Sequence, residues 1–291
     1  MRFGLDSSSL DVEDWRTAFT DAAPESSLHA TADLPPDSVD VLLLWQPQRL
    51  DWRAATALRR VFALGAGVDH LSDLQLPEGV ELERLHDAGM ADAMADYALY
   101  ATLHFQRDFD AYRRSQARGE WRSLLASQSP AQTQVTVLGL GNLGSAVAAR
   151  LARHGYAVSG WARTVHRVPG VRCASGEEAL LDLLAATDVL INVLPLTPAT
   201  HGLLNAARLG RLPRDAAFIN LSRGAVVDQS DLLALLDEGR LRGAFLDVTA
   251  VEPLPSADPL WRHPRVWLTP HVSAPTDPRL AAQEIVSRLA H

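Results

Sequence analysis

The chain contains no lysine and a single cysteine, and each absence removes a class of chemistry. Without lysine there is no Schiff-base nucleophile, no lysine general base and no P-loop lysine, so every basic side chain is arginine or histidine. With Cys173 alone, no intrachain disulfide can form and no cluster of thiolate metal ligands can be built, which fits a reducing compartment. Long apolar runs are also missing. Stretches such as VLLLW at 41–45 are far too short to span a bilayer, and the opening MRFGLDSSSLDVEDW has no apolar core flanked by basic residues. The expected location is therefore cytoplasmic. A net charge of −8 repels phosphate backbones and anionic lipid, which argues against nucleic acid and membranes as partners. A small anionic substrate would need local arginine.

What is present is enough to build a core: 47% of the 291 residues are hydrophobic and 21% charged, as in ordinary globular proteins. The length favours two lobes. In the first hundred residues, MRFGLDSS, VDVLLLWQP and RVFALGAG read as short strands ending in Gly, Ser or Pro, with helical spacing between them. From Met94 to about Leu125, apolar and aromatic residues recur every three to four positions, which predicts one long amphipathic helix. ASQSPAQTQ at 126–134 is polar and aperiodic and reads as a turn. From Val135, strands recur as VTVLGL, YAVSGWA, VLINVLP, AAFINLS, GAFLDVT and VWLTP, nearly continuous in apolar residues as buried parallel strands are. The fold class expected is α/β, with two doubly wound parallel-sheet lobes. A Rossmann cofactor domain (98–275) is inserted in a smaller flavodoxin-like substrate domain (1–97 plus 276–291).

VTVLGL runs into Gly139-Leu140-Gly141-Asn142-Leu143-Gly144 and then a helix-forming stretch, which is GxGxxG in its proper setting. The first glycine permits a tight turn, the second lets backbone approach a pyrophosphate, and the third lets helix pack on strand, with phosphates at the positive helix end. At the end of the next strand, where an NAD site usually carries Asp or Glu, stand Ala162, Arg163 and Thr164. A guanidinium and a hydroxyl without a carboxylate favour the 2′-phosphate of NADP(H), with NAD(H) as the secondary possibility.

Arg223 follows FINLS, Glu252 follows AFLDVTA and His271 follows VWLTP, all beyond the carboxyl ends of strands, where open sheets bind ligands. Singly, such an arginine reads as a surface residue and such a histidine as a turn residue. Together they supply what reduction of a 2-oxo acid requires: a cation for the carboxylate, a proton donor for the developing alkoxide, and a carboxylate that orients the imidazole. His86, His104, His154 and His263 show no metal-ligand spacing, and no metal is expected.

NLSRGAVVD, LDVTAVEPLP and LTPHVSA, with GAGVDH at 65–70 and LPLTPATHG at 194–202, resemble the D-2-hydroxyacid dehydrogenase family over nearly the whole chain. LLLWQP, DAGMADAMADYAL, WART and PLWRHPRVWLTPH most resemble its glyoxylate/hydroxypyruvate reductase A branch. The resemblance implies that Arg223 binds the substrate, His271 donates the proton and Glu252 pairs with it. It implies also that the Ala66 and Gly67 amides meet the carboxylate and that Trp45 walls the substrate pocket. Leu194, Pro195, Thr197 and Leu221 would line the cofactor, and Asp247 would accept from the nicotinamide carboxamide. Blander roles stay open: Asp247 as a cap, Thr197 as a loop hydroxyl, Trp45 as a core aromatic, Asp69 and His70 as structural residues.

The activity implied is NADPH-dependent reduction of glyoxylate or hydroxypyruvate to a D-2-hydroxy acid. A dehydrogenase of a larger acid and a nicotinamide-sensing binding protein are the alternatives. Relatives pair through the cofactor domain, so a homodimer is expected, with the 97–125 stripe as a contact or as core. The family's usual tail runs further past the histidine than His291. Even so, DPRLAAQEIVSRLA at 277–290 has the composition of its returning helix.

Overall fold

The computed structural model describes residues 1–124 and 128–290. By backbone contacts the chain forms two units: Met1–Met90 with the segment from Pro275 onward, and Ala91–Ala274.

In the first unit, β1 (Arg2–Ser7), β2 (Ser27–Ala30), β3 (Val41–Trp45), β4 (Arg60–Ala63) and β5 (Leu82–Arg84) form a wholly parallel sheet in the order β2-β1-β3-β4-β5. That is the flavodoxin-like winding. Leu42, Leu43 and Leu44 are all buried, so both faces of β3 are covered, which is why its sequence shows no alternation. Helix α1 (Val12–Ala22) is capped by the Asp11 carboxylate, which accepts from the Glu13 amide, and it buries Trp15, Ala18 and Phe19 at helical spacing. Phe19 packs against Phe3 of β1 with ring centroids 4.5 Å apart, and fully burying such a phenyl contributes roughly 1.5–3 kcal/mol.

The second unit has seven parallel strands: β6 (Gln134–Leu138), β7 (Ala157–Trp161), β8 (Arg172–Ala174), β9 (Val189–Asn192), β10 (Ala217–Asn220), β11 (Gly243–Leu246) and β12 (Val266–Leu268). Their order, β12-β11-β10-β9-β6-β7-β8, is the Rossmann winding, and the order reverses between β6 and β9. Alternate residues feed two cores. Val135, Val137, Ile191, Ile219 and Phe245 face one side, and Leu138, Leu190, Phe218, Ala244 and Leu246 face the other. Helices α2 (Met90–Gln106), α3 (Phe109–Ala117), α4 (Asn142–Arg153), α5 (Glu177–Ala185), α6 (Ala206–Leu209) and α7 (Gln229–Asp237) accompany them.

The single long helix expected from Met94 to about Leu125 is two helices, and the second ends at Ala117, so residues 118–124 are not helical. Asp108 stands between α2 and α3 with φ of 59°. The Arg242 guanidinium, reaching out from the residue before β11, holds both Asp108 and Asp110, so the break is anchored by charge. The apolar period runs through it unchanged, which is why spacing alone did not reveal the break. Leu125, where that helix was expected to end, and the first two residues of the expected 126–134 turn lie outside the described residues; Pro130–Gln132 form one 3-10 turn. In the C-terminal segment α8 (Pro278–Leu289) packs on α1, the Thr276 hydroxyl donates to the Leu64 carbonyl, and Arg288 NH1 donates to the Arg84 carbonyl at 2.7 Å. Among the described residues no helix is long and apolar enough to cross a membrane.

Candidate active site

The nucleotide turn sits at the reversal of strand order. Gly139 has φ of 93°, and a Cβ there would lie 2.7 Å from the Val193 carbonyl oxygen, so the tight turn after β6 requires glycine. Gly144 is stricter still, since its Cβ would come within 1.8 Å of the Gly139 carbonyl oxygen. A Cβ on Gly141 would meet nothing within 4 Å, so this backbone faces open space at the start of α4. Asn142 and Leu143 open that helix, whose amides and dipole favour an anion. The residues therefore fit a dinucleotide pyrophosphate. At the end of β7, Ala162 is buried, whereas Arg163 and Thr164 are exposed and Thr164 Oγ1 lies 3.3 Å from His166 Nε2.

Two buried asparagines shape the loops beyond β9 and β10. Asn192 Nδ2 donates to Asn220 Oδ1 (2.9 Å) and Ser222 Oγ (2.8 Å), and Asn192 Oδ1 accepts from the Leu194 amide (3.2 Å). Asn220 Nδ2 in turn donates to the Arg223 carbonyl (3.2 Å), so the backbone presenting Arg223 is tied to the neighbouring strand end. Arg223 is partly buried and NH1 donates to the Ser222 carbonyl at 2.8 Å. Leu194 and Leu221 are buried, Pro195 is exposed, and Thr197 is tied into its own loop by its amide and hydroxyl bonds to Thr200 Oγ1.

Gly224 is a residue that sequence reasoning missed. A Cβ on it would fall 1.9 Å from the Thr249 carbonyl carbon and 2.3 Å from the Ala250 nitrogen. Only glycine lets the loop carrying Arg223 lie against the loop carrying Glu252. The signal was the glycine directly after the arginine, which marks a close backbone approach.

Glu252 and His271 meet directly. His271 Nδ1 lies 2.8 Å from Glu252 Oε2, while Glu252 Oε1 accepts from the Thr249 amide at 3.0 Å. Burial alone would raise the Glu252 carboxyl. The hydrogen bond and charge of His271, the Thr249 amide and the charge of Arg223 outweigh burial and hold it below the usual carboxylate range. An ionised carboxylate only accepts, so Nδ1 carries the hydrogen of this pair. His271 has φ of 56°, and its amide bonds to the Asp247 carbonyl at 2.8 Å. Asp247 is 1% exposed and its carboxylate receives the Val272 and Ser273 amides at 2.8 and 2.9 Å, so it caps the turn that presents the imidazole.

In the first unit, Trp45 closes β3, and Gly65 lies beneath its indole so tightly that a Cβ would come 2.1 Å from the ring. His70 meets the same indole edge-on at 5.6 Å, which gives the residue after GAGVD a packing role. The Ala66 and Gly67 amides donate to no backbone carbonyl among the described residues. Among those residues, no group of three or more His, Cys, Asp or Glu could hold a metal ion.

Comparison with known proteins gives this geometry a family. Residues 99–273 match the model of the D-isomer specific 2-hydroxyacid dehydrogenase NAD binding domain. A D-isomer specific 2-hydroxyacid dehydrogenase from Xanthobacter autotrophicus Py2, solved with NADPH and MES, is 40% identical with a TM-score of 0.90, over 99% of this chain and 93% of that one. An NADPH-dependent glyoxylate/hydroxypyruvate reductase from Sinorhizobium meliloti, solved with NADP and sulfate, is 32% identical with a TM-score of 0.90, over 99% and 94%. A family protein from Klebsiella pneumoniae 342 is 35% identical with a TM-score of 0.90, over 100% and 93%. By that family match and by these likenesses over nearly the whole chain, the protein belongs to the D-isomer specific 2-hydroxyacid dehydrogenases, NAD(P)-dependent oxidoreductases of 2-hydroxy acids.

Proposed function

We propose that this enzyme reduces a short 2-oxo acid, glyoxylate or hydroxypyruvate, to the D-2-hydroxy acid with NADPH. The observation that carries the proposal is the 2.8 Å contact between His271 Nδ1 and Glu252 Oε2, close enough to Arg223 for its charge to act on the carboxylate. A binding protein that only sensed nicotinamide would have no use for an oriented proton donor. The likeness to a Sinorhizobium reductase of glyoxylate and hydroxypyruvate supports the substrate class.

When bound, the dihydronicotinamide supplies a hydride to the carbonyl carbon. Arg223 holds the substrate carboxylate and carbonyl oxygen through paired charged hydrogen bonds, which polarise the carbonyl and fix its face. His271 delivers a proton from Nε2 to that oxygen as negative charge develops there. Glu252 keeps the ring oriented and stabilises its cationic form before transfer. Trp45 limits substrate length, and the Ala66 and Gly67 amides belong to carboxylate recognition. Leu194, Pro195, Thr197 and Leu221 belong to the cofactor's surroundings.

A panel of short 2-oxo acids assayed separately with NADPH and NADH tests the reading. NADPH oxidation by glyoxylate or hydroxypyruvate is expected, and none with any short 2-oxo acid would overturn it. Cofactor choice has its own test at the exposed end of β7. Arg163→Ala is expected to weaken NADPH binding about tenfold or more, since a charged hydrogen bond contributes roughly 1.5–3 kcal/mol, while NADH binding stays within about twofold. Equal losses for both cofactors would refute the assignment. The proposal extends to a cytoplasmic homodimer paired through the second unit, where Tyr100, Phe109 and Trp121 are exposed near one another in sequence.

A further inference from the structure

Behind the turn that carries His271 runs a line of hydroxyls to which the roles above give no part. Tyr97 on α2 hydrogen-bonds through its hydroxyl to Thr269 Oγ1, and Thr269 Oγ1 lies 2.7 Å from Asp247 Oδ1. The donor inventory fixes the direction of this line. A carboxylate accepts only, so the one hydroxyl hydrogen of Thr269 goes to Asp247, and Thr269 Oγ1 must accept from Tyr97. Burial pushes the Tyr97 phenol up and the Asp247 charge adds to that, against the opposing effect of the Thr269 bond, so Tyr97 stays a neutral donor. Its ring is held edge-on against Phe245 of β11 at 5.6 Å, which leaves the hydroxyl little freedom to seek another partner.

The far end of the line is the turn itself. The Asp247 carboxylate takes three donors, the Thr269 hydroxyl and the amides of Val272 and Ser273, and these bracket His271 on both sides in sequence. A left-handed backbone at a non-glycine residue persists only where its surroundings over-determine it. Hydrogen bonds in series also strengthen one another in a buried site, so removing the outermost donor weakens the inner contact.

We propose that Tyr97 is a positioning residue for the proton donor: through Thr269 and Asp247 it fixes the turn at 269–273, and with it the angle at which His271 Nε2 meets the substrate oxygen. This rests on the reading of His271 as the proton donor. A series arrangement has a signature that two separate packing roles lack. Once Thr269 is lost, Tyr97 has nothing further to transmit.

The test uses Tyr97→Phe, Thr269→Val, the double variant and Thr269→Ser, with steady-state reduction of a short 2-oxo acid. Thr269→Val is expected to lower kcat about tenfold and Tyr97→Phe about threefold, with KM and the NADPH Kd within about twofold, because a small angular error costs rate rather than binding. The double variant should fall no further than Thr269→Val alone, and Thr269→Ser should restore kcat to within about twofold of the parent. Multiplying losses in the double variant, losses confined to KM, or a serine variant as slow as valine would each overturn the proposal. A second measurement needs no turnover. The ring nitrogen resonances of His271, identified by their loss in His271→Gln, should move in Tyr97→Phe and Thr269→Val and stay in Thr269→Ser. Absence of turnover in the parent defeats the proposed activity, and the ring signals still decide the positioning role. An unmoved ring in an active enzyme defeats the positioning role alone.

Discussion

His271→Ala is expected to lower kcat for 2-oxo-acid reduction by roughly 10²–10⁴-fold, the contribution of a well-placed proton donor, while the NADPH Kd moves less than about twofold. Cofactor binding is spared because its phosphates are assigned to the glycine turn and the end of β7, whereas His271 stands at the turn after β12 and the alanine keeps the backbone bond of residue 271 to Asp247. Steady-state kinetics beside a fluorescence titration of NADPH separates the two quantities, and normal turnover in this variant would refute the assignment. The acid side of the pH profile follows from Glu252. Its carboxyl is held below the usual range in the folded protein, so its charge is present above that range and is lost only as pH falls through the depressed value. From about pH 5 upward the carboxylate partner of His271 is therefore intact.

Arg223→Ala is expected to lower kcat/KM by roughly 10²–10⁴-fold, because two charged hydrogen bonds of about 1.5–3 kcal/mol each are removed and about 1.4 kcal/mol corresponds to tenfold. KM should rise, since the substrate carboxylate loses its clamp, and kcat should fall, since the carbonyl loses polarisation and alignment. Arg223→Lys should recover little: an ammonium gives a point charge where the fork of a guanidinium meets carboxylate and carbonyl together. Initial rates across substrate concentration at saturating NADPH decide it. A variant with unchanged KM and kcat would remove Arg223 from substrate binding.

The parts of this molecule that the sequence made legible are those where physics leaves one solution. Parallel strands covered on both faces are apolar throughout, so β1, β3, β4, β6, β9, β10 and β11 read directly as short hydrophobic runs, and β7 and the edge strand β12 read from their apolar residues as well. The glycine turn was legible because Gly139 and Gly144 each stand where a Cβ would strike backbone. Arg223, Glu252 and His271 were legible as polar residues following such strands.

What escaped did so for stated reasons. β2, β5 and β8 are short edge strands that carry polar residues (SLHA, LER and RCA) and so show no apolar run, whereas β12, also at an edge, is VWL and was legible. The break at Asp108 depends on Arg242, far away in sequence, while the local spacing continues across it. Gly224 and the line from Tyr97 to Asp247 depend on close approaches between loops and helices from different parts of the chain. Asp247 shows the ambiguity most plainly: its identity is compatible with a cofactor contact, yet only coordinates reveal three donors from one turn gathered on its carboxylate.

The partnership of α1 with α8 carries a consequence for biosynthesis. The second unit is one uninterrupted stretch of chain, whereas the first is interrupted by it and cannot be finished until Pro278–Leu289 has been translated. At roughly 5–20 residues per second, the intervening stretch leaves α1 without its helical neighbour for many seconds while the nascent chain grows. Through that interval the apolar face of α1, with Trp15, Ala18 and Phe19, lacks one of its covering elements, in the unit whose synthesis begins first and ends last.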